Sequence, residues 1–251
     1  MRKHNITLFV LLLSLLCVTH GFNRRRRQRF TSNEFDVLMF TQRWPPTACF
    51  VWKENSESRS CSLPKREEWT IHGIWPTKYH TIGPEYCNDL PFNPNMLAPL
   101  ESELKENWID IQNGSRPYTF WKHEWDKHGT CAITVQALNS EYNYFLAALN
   151  LLDTYNMIDV LAKASILPGQ RYMVQDILAG IEKVLGKRSQ VMCAKNEKTG
   201  ESYMVEIRTC FDKTLQLVDC DGIVSFPTNC NRREPITYPS NVPRYYNVIQ
   251  I

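Results

Sequence analysis

Apolar and aromatic positions cluster early in the chain. Residues 34–44 carry Phe35, Val37, Leu38, Met39 and Phe40 and stop at Pro45-Pro46, which predicts a buried strand. Residues 53–68 are charged and Ser-rich and read as a surface loop. In residues 69–75, Trp69, Ile71, Gly73 and Trp75 share one face and Thr70, His72 and Ile74 the other, a strand that Pro76 should end. After turn-rich residues 84–94, the spacing of Leu100, Leu104 and Trp108 predicts a helix over 97–110. A second helix is expected over 117–129, with proline at its start and glycine at its end. Two more follow over 141–155 and 172–185, the latter closed by Gly186. Residues 202–211, 214–220 and 222–226 read as short strands, and the tail from Pro227 as an extended segment on the surface. Strands and helices mix without regular alternation, which argues for one α+β domain.

The leader changes the picture of where this domain works. Arg2 and Lys3 precede an apolar run over residues 8–18, with Thr19 and Gly21 at the −3 and −1 positions of a cleavage site. That run is short of the roughly 20 residues needed to span a bilayer and describes a secretory signal peptide over 1–21. No other stretch reads as a membrane span. Residues 22–29 hold the run from Arg24 to Arg29, either a removable pro-segment or a retained basic arm. Residues 30–251 form the expected functional domain.

Charge has to be read by position. The formal net charge is +3, but seven of the 29 basic residues lie before Phe30, leaving 22 basic against 26 acidic residues in the body. A slightly acidic body does not support a bulk electrostatic grip on nucleic acid. Of nine cysteines, Cys17 falls in the leader. The remaining eight are even in number, which in an oxidising compartment implies up to four disulfides. Asn113-Gly114-Ser115 is a glycosylation sequon in an exposed turn, so Asn113 is a candidate acceptor.

The candidate chemistry is concentrated in two segments. One is Trp69-Thr70-Ile71-His72-Gly73-Ile74-Trp75-Pro76, and the other runs from Phe120 through His123, Glu124, Lys127 and His128 to Cys131. On a regular helix of roughly 100° per residue, His123, Glu124, Lys127 and His128 fall at about 0°, 100°, 40° and 140°. Two imidazoles, a carboxylate and an ammonium thus share less than half the circumference. A zinc-protease His-Glu-x-x-His motif would need histidine at 127, where Lys127 stands. Metal-free phosphoryl transfer fits instead: histidines exchange the protons, and a lysine meets the charge that grows on phosphorus.

Both segments resemble the active-site motifs of the ribonuclease T2 family, secreted acid ribonucleases of fungi, animals and plants. Gln42-Arg43-Trp44-Pro45 followed by Cys49 resembles that family's opening strand. The resemblance implies an α+β domain with a central antiparallel sheet packed with several helices. It implies an endoribonuclease that cleaves single-stranded RNA through a 2′,3′-cyclic phosphate and leaves 3′-phosphate ends, without metal or other cofactor. His72 would be the general acid and His128 the general base, Glu124 and Lys127 would stabilise the transition state, and His123 would bind phosphate. Gln42 and Trp75 are candidates for base contacts. The implied disulfides are Cys49–Cys61, Cys87–Cys131, Cys193–Cys230 and Cys210–Cys220. Thr77 stands where many members have an aspartate that helps read the downstream base. The expected protein is a monomer in an extracellular or lysosomal setting, with no membrane partner. The competing reading is a secreted binding or signalling protein on the same scaffold.

Overall fold

The computed structural model describes residues 34–54, 56 and 58–244. The leader, its cleavage site and the basic run lie outside the described residues. In chain order the strands are β1 (Val37–Arg43), β2 (Thr70–Thr77), β3 (Gln170–Tyr172), β4 (Gln190–Lys195), β5 (Ser202–Phe211), β6 (Leu217–Val218) and β7 (Ile236–Tyr238). The helices are α1 (Pro45–Lys53), α2 (Glu101–Asn107), α3 (Thr119–Glu124), α4 (Thr130–Ala132), α5 (Glu141–Thr154), α6 (Met157–Lys163) and α7 (Val174–Leu185). The strands form one sheet in the order β2-β1-β5-β7-β3, with β4 and β6 also pairing β5. Its pairings are antiparallel except for β5 with β7. This is the expected α+β domain, and all four expected disulfides are formed.

β1 has partners on both sides and is buried nearly throughout, which explains its unbroken apolar run. Its even positions, Leu38 and Phe40, join Ile71, Ile74 and Phe211 in a core shared with α2, α3 and α5. Val37 and Met39 point to the opposite face, beside Cys210 and Trp75. A second core surrounds Trp44, Trp69, Ile177 and Ile207.

Several elements depart from the sequence pattern for identifiable reasons. Pro45-Pro46 does end β1, but both prolines occupy the first turn of α1, where no N–H is needed. Pro76 lies inside β2 rather than ending it, because β2 is an edge strand with one partner. The segment expected as a strand over 222–226 is a turn, with positive φ at both Gly222 and Ser225. The expected helix over 97–110 is shorter, a 3₁₀ turn at Pro94–Leu97 followed by α2.

The tail is exposed over residues 231–235, but it then enters the sheet as β7 instead of staying on the surface. Ile236 and Tyr238 of β7 are fully buried, and Tyr238 packs 4.8 Å from Trp44 and accepts a 2.8 Å hydrogen bond from Trp69 Nε1. Each such buried aromatic contributes about 1.5–3 kcal/mol, which outweighs the weak local signal of a three-residue strand between prolines.

Among the described residues one helical stretch, 141–163, is long and apolar enough by composition to cross a membrane, contrary to the expectation that no stretch besides the leader would be. It is broken at Tyr155-Asn156 into α5 and α6, of 14 and 7 residues, each short of the roughly 20 a span requires. Its buried side chains, among them Tyr144, Phe145 and Leu161, belong to the two cores.

Candidate active site

The β1–β2 register slips between Thr41 and Gln42: Thr41 pairs with Gly73, Gln42 with Ile71, and His72 is the extra residue. Such a bulge re-aims side chains. It places Ile71 and Ile74 together in the core and turns His72 and Trp75 to the other face, with ring centroids 4.8 Å apart. The strict alternation read from sequence, which separated His72 from Trp75, therefore fails here. The bulge is anchored by the core, since Trp108 Nε1 donates to His72 O at 3.0 Å and the Tyr144 hydroxyl donates to Ile74 O at 3.0 Å.

The second segment is not a uniform helix. α3 passes into a π turn over Trp125–Gly129 before α4, and the Thr130 N–H reaches back to Trp125 O. Turns of this kind are rare and concentrate at functional sites. Gly129 sits within the turn rather than at a helix end. A Cβ there would lie 2.4 Å from Trp125 Cε3, so the absent side chain gives the Trp125 ring its place. The even angular spacing assumed from sequence does not hold past Glu124. His123, Glu124, Lys127 and His128 nevertheless line one cavity together with His72.

Glu124 is almost fully buried, with 1% exposure, and accepts from Trp75 Nε1 at 2.9 Å; His72 Nε2 lies 3.9 Å from its other oxygen. Gly73 makes this approach possible, since a Cβ there would fall 2.2 Å from Glu124 Oε2. Burial pushes the Glu124 carboxyl up, against the pull of His72. His128 is buried and stacks on Trp75 at 5.2 Å. Its Nδ1 is buried without a hydrogen-bond partner among the described residues. Burial, with Lys127, His72 and His123 nearby, holds the His128 imidazole well below its ordinary value and so keeps it neutral.

Lys127 pairs with Glu85 at 3.2 Å, and the loop carrying Glu85 is fixed by the Tyr86 N–H to Lys127 O and by Cys87–Cys131. His123 is exposed and lines two cavities, of about 330 Å³ and 740 Å³, which both also touch His72 and Glu124. Trp75, Ile82 and Lys127 line the smaller one, and Arg43, Trp52 and Phe120 the larger.

Two of the sequence-predicted binding residues need correction. Gln42 is 1% exposed on the core face of β1, where its amide donates to Tyr155 O at 2.7 Å and accepts from the Met157 N–H at 3.1 Å. It shares that face with Leu38 and Phe40, so it cannot reach a base in either cavity. Trp75 does line the smaller cavity, but His128 covers a ring face, the Arg208 guanidinium lies 5.3 Å from the ring centre and the indole N–H is bonded to Glu124. It acts as scaffold more than as an open stacking platform. Asn113 is exposed, with its amide on Ser60 Oγ at 2.9 Å, and His80 is exposed as well.

The sequence reading missed a group on β5. Glu206 accepts from or donates to no motif residue but His72, whose Nδ1 lies 2.6 Å from its Oε1. Its Oε2 receives Arg208 Nη2 at 2.6 Å and Nε at 3.0 Å. Burial opposes the charge on Glu206, yet His72 and Arg208 outweigh it and lower its carboxyl to about 2. The available signal was a glutamate and an arginine two residues apart, hence on one face, in an otherwise apolar interior strand.

Known proteins match this chain along most of its length. The model of the ribonuclease T2 family matches residues 35–220. Ribonuclease Oy of Magallana gigas is 35% identical over 212 residues, covering 82% of this chain and 97% of that protein. Human ribonuclease T2 is 35% identical over 218 residues, covering 84% and 78%. RNase MC1 of bitter gourd seeds, solved as a single-residue variant in complex with 5′-UMP, superposes with a TM-score of 0.70 at 28% identity, over 82% of this chain and 99% of that one. The chain belongs to the ribonuclease T2 family and is an endoribonuclease of that family.

Proposed function

We propose that the chain cleaves single-stranded RNA by two-histidine transphosphorylation that needs no metal. The observation that carries this reading is the convergence of His72, His128, Lys127 and a buried carboxyl where two cavities meet at His72, His123 and Glu124. A scissile phosphate at that junction would leave a nucleoside on either side, one in each cavity.

In the first stage neutral His128 takes the 2′-OH proton and the 2′-oxygen attacks phosphorus. The bond from phosphorus to the 5′-oxygen breaks, and protonated His72 supplies that oxygen with its proton from Nε2. The products are a 2′,3′-cyclic phosphate and a free 5′-OH. In the second stage His72, now neutral, takes a proton from water as it attacks phosphorus, and His128 returns its proton to the 2′-oxygen, leaving a 3′-phosphate. Lys127 and His123 meet the charge on the phosphoryl oxygens. Burial raises the Glu124 carboxyl and so favours its protonated form, which can offer the phosphate an O–H donor.

The RNA reading is supported by the 5′-UMP bound by RNase MC1. The leader and the four disulfides support a secreted or lysosomal protein, with Asn113 exposed for glycosylation. The test is hydrolysis of single-stranded RNA by the mature, oxidised protein in EDTA, with phosphorus NMR of the products. Cleavage through a cyclic phosphate, abolished by His72→Ala and by His128→Ala, is expected. A folded wild-type protein that leaves RNA intact from pH 4 to 8, or cuts only when a divalent metal is added, would overturn the reading.

A further inference from the structure

We propose that Glu206 is a positioning residue for the leaving-group step: its carboxylate holds a proton on His72 Nδ1, so that Nε2 is the nitrogen that faces the scissile bond and delivers the proton. The role rests on the two-histidine reading given above and extends it to a residue outside both motifs.

The geometry points this way from three sides. His72 Nδ1 and Glu206 Oε1 are 2.6 Å apart, at the short end of charge-assisted hydrogen bonds. A carboxylate can only accept there, so Nδ1 carries the hydrogen and Nε2 alone remains to exchange protons with substrate. Nε2 is also the nitrogen near Glu124, at 3.9 Å, which places it at the junction of the two cavities.

The carboxylate is itself fixed. Arg208 holds its second oxygen through both Nε and Nη2, and Arg208 Nη1 donates to Gln190 Oε1 at 3.1 Å. Glu206 pairs across β1 with Arg43, and Arg208 with Thr41, so the clamp is built on the backbone of interior strands. A structural ion pair between Glu206 and Arg208 would need no third partner. Here the free oxygen is aimed at the one side chain of β2 that the bulge turns to this face beside Trp75. Among the described residues the other neighbours of the His72 ring are looser: Glu124 lies 3.9 Å from Nε2, beyond hydrogen-bond distance, and the ring centres of Phe120 and Trp75 lie 5.9 Å and 4.8 Å away, contacts that confine the ring without choosing which nitrogen is protonated.

The experiment compares two substrates in wild type, Glu206→Gln and Glu206→Asp. Uridylyl-(3′,5′)-adenosine needs a proton on its departing 5′-oxygen, and uridine 3′-(4-nitrophenyl phosphate) expels a phenolate that needs none. Loss of an orienting group of this kind costs about 10–100-fold, so kcat for the dinucleotide should fall by that factor in Glu206→Gln at little-changed KM. Turnover of the nitrophenyl ester should stay within about threefold of wild type, and Glu206→Asp should recover part of the dinucleotide rate. Equal loss on both substrates, or loss on neither, would overturn the positioning role while cleavage by wild type still stood. Wild type inactive on both substrates would overturn the cleavage reading itself. A nitrogen-15 NMR spectrum of wild type provides a check free of any folding defect in the variants. The neutral His72 ring should carry its proton on Nδ1, and a ring protonated on Nε2 would contradict the proposal.

Discussion

His72 and His128 line one cavity in contrasting surroundings. His72 sits on a bulged edge strand, 27% exposed, with the carboxyl groups of Glu206 and Glu124 at 2.6 Å and 3.9 Å. His128 sits in a π turn, buried against Trp75, with Lys127, His72 and His123 as its charged neighbours. One imidazole is held by two carboxyl groups on a strand, while burial, with cationic neighbours beside it, favours the neutral form of the other. In the proposed mechanism these two surroundings give two identical side chains different tasks, an acid on the strand and a base in the turn.

The strongest way to break this contrast is to remove either ring. His72→Ala and His128→Ala should each lower kcat on RNA by roughly 10²–10⁴-fold with the fold intact, as read by steady-state kinetics and near-UV circular dichroism. Lys127→Gln should come next, at about 10²-fold in kcat from lost charge stabilisation. Lys127→Gln also sharpens the contrast, since the lost cation lets the His128 value rise. Wild type should keep its active, neutral base well below pH 6.5, and the acid limb of kcat/KM should move to higher pH in the variant. Gly73→Ala should force Glu124 and Trp75 apart, costing about 1–3 kcal/mol in urea unfolding together with part of the activity.

The smallest effect concerns stability. A histidine kept neutral on folding binds fewer protons in the native than in the unfolded state, so its contribution is complete above the ordinary value of 6.5 and is lost as pH falls below it. Melting temperatures measured from pH 7 to 5 should therefore fall less in His128→Asn than in wild type. Equal slopes would show that burial does not hold this ring neutral.

Much of this site was legible from residues alone. The two motifs named every side chain that lines the smaller cavity from α3 and the π turn, and the cysteines led through the family resemblance to all four disulfides. What stayed hidden depends on register and on long-range pairing. A one-residue bulge puts His72 and Trp75 on one face, and no local pattern announces it. Gln42 was misassigned although its alternation with Leu38 and Phe40 already placed it on the core face. Glu206 lies 134 residues from His72, and only the pairing of β5 with β1 brings them together. β7 escaped for a similar reason, since its three residues are strand because Trp44 and Trp69 bury Tyr238, not because their own pattern demands it.

The division of labour itself is tested most directly by pairing the two alanine variants with a substrate that needs no acid. On uridine 3′-(4-nitrophenyl phosphate), His72→Ala should regain most of the wild-type rate while His128→Ala stays inactive, because the phenolate leaves unaided but the 2′-OH still needs its base. Rescue of His128→Ala in place of His72→Ala would reverse the assignment, and rescue of neither would contradict a single proton donor at the leaving group.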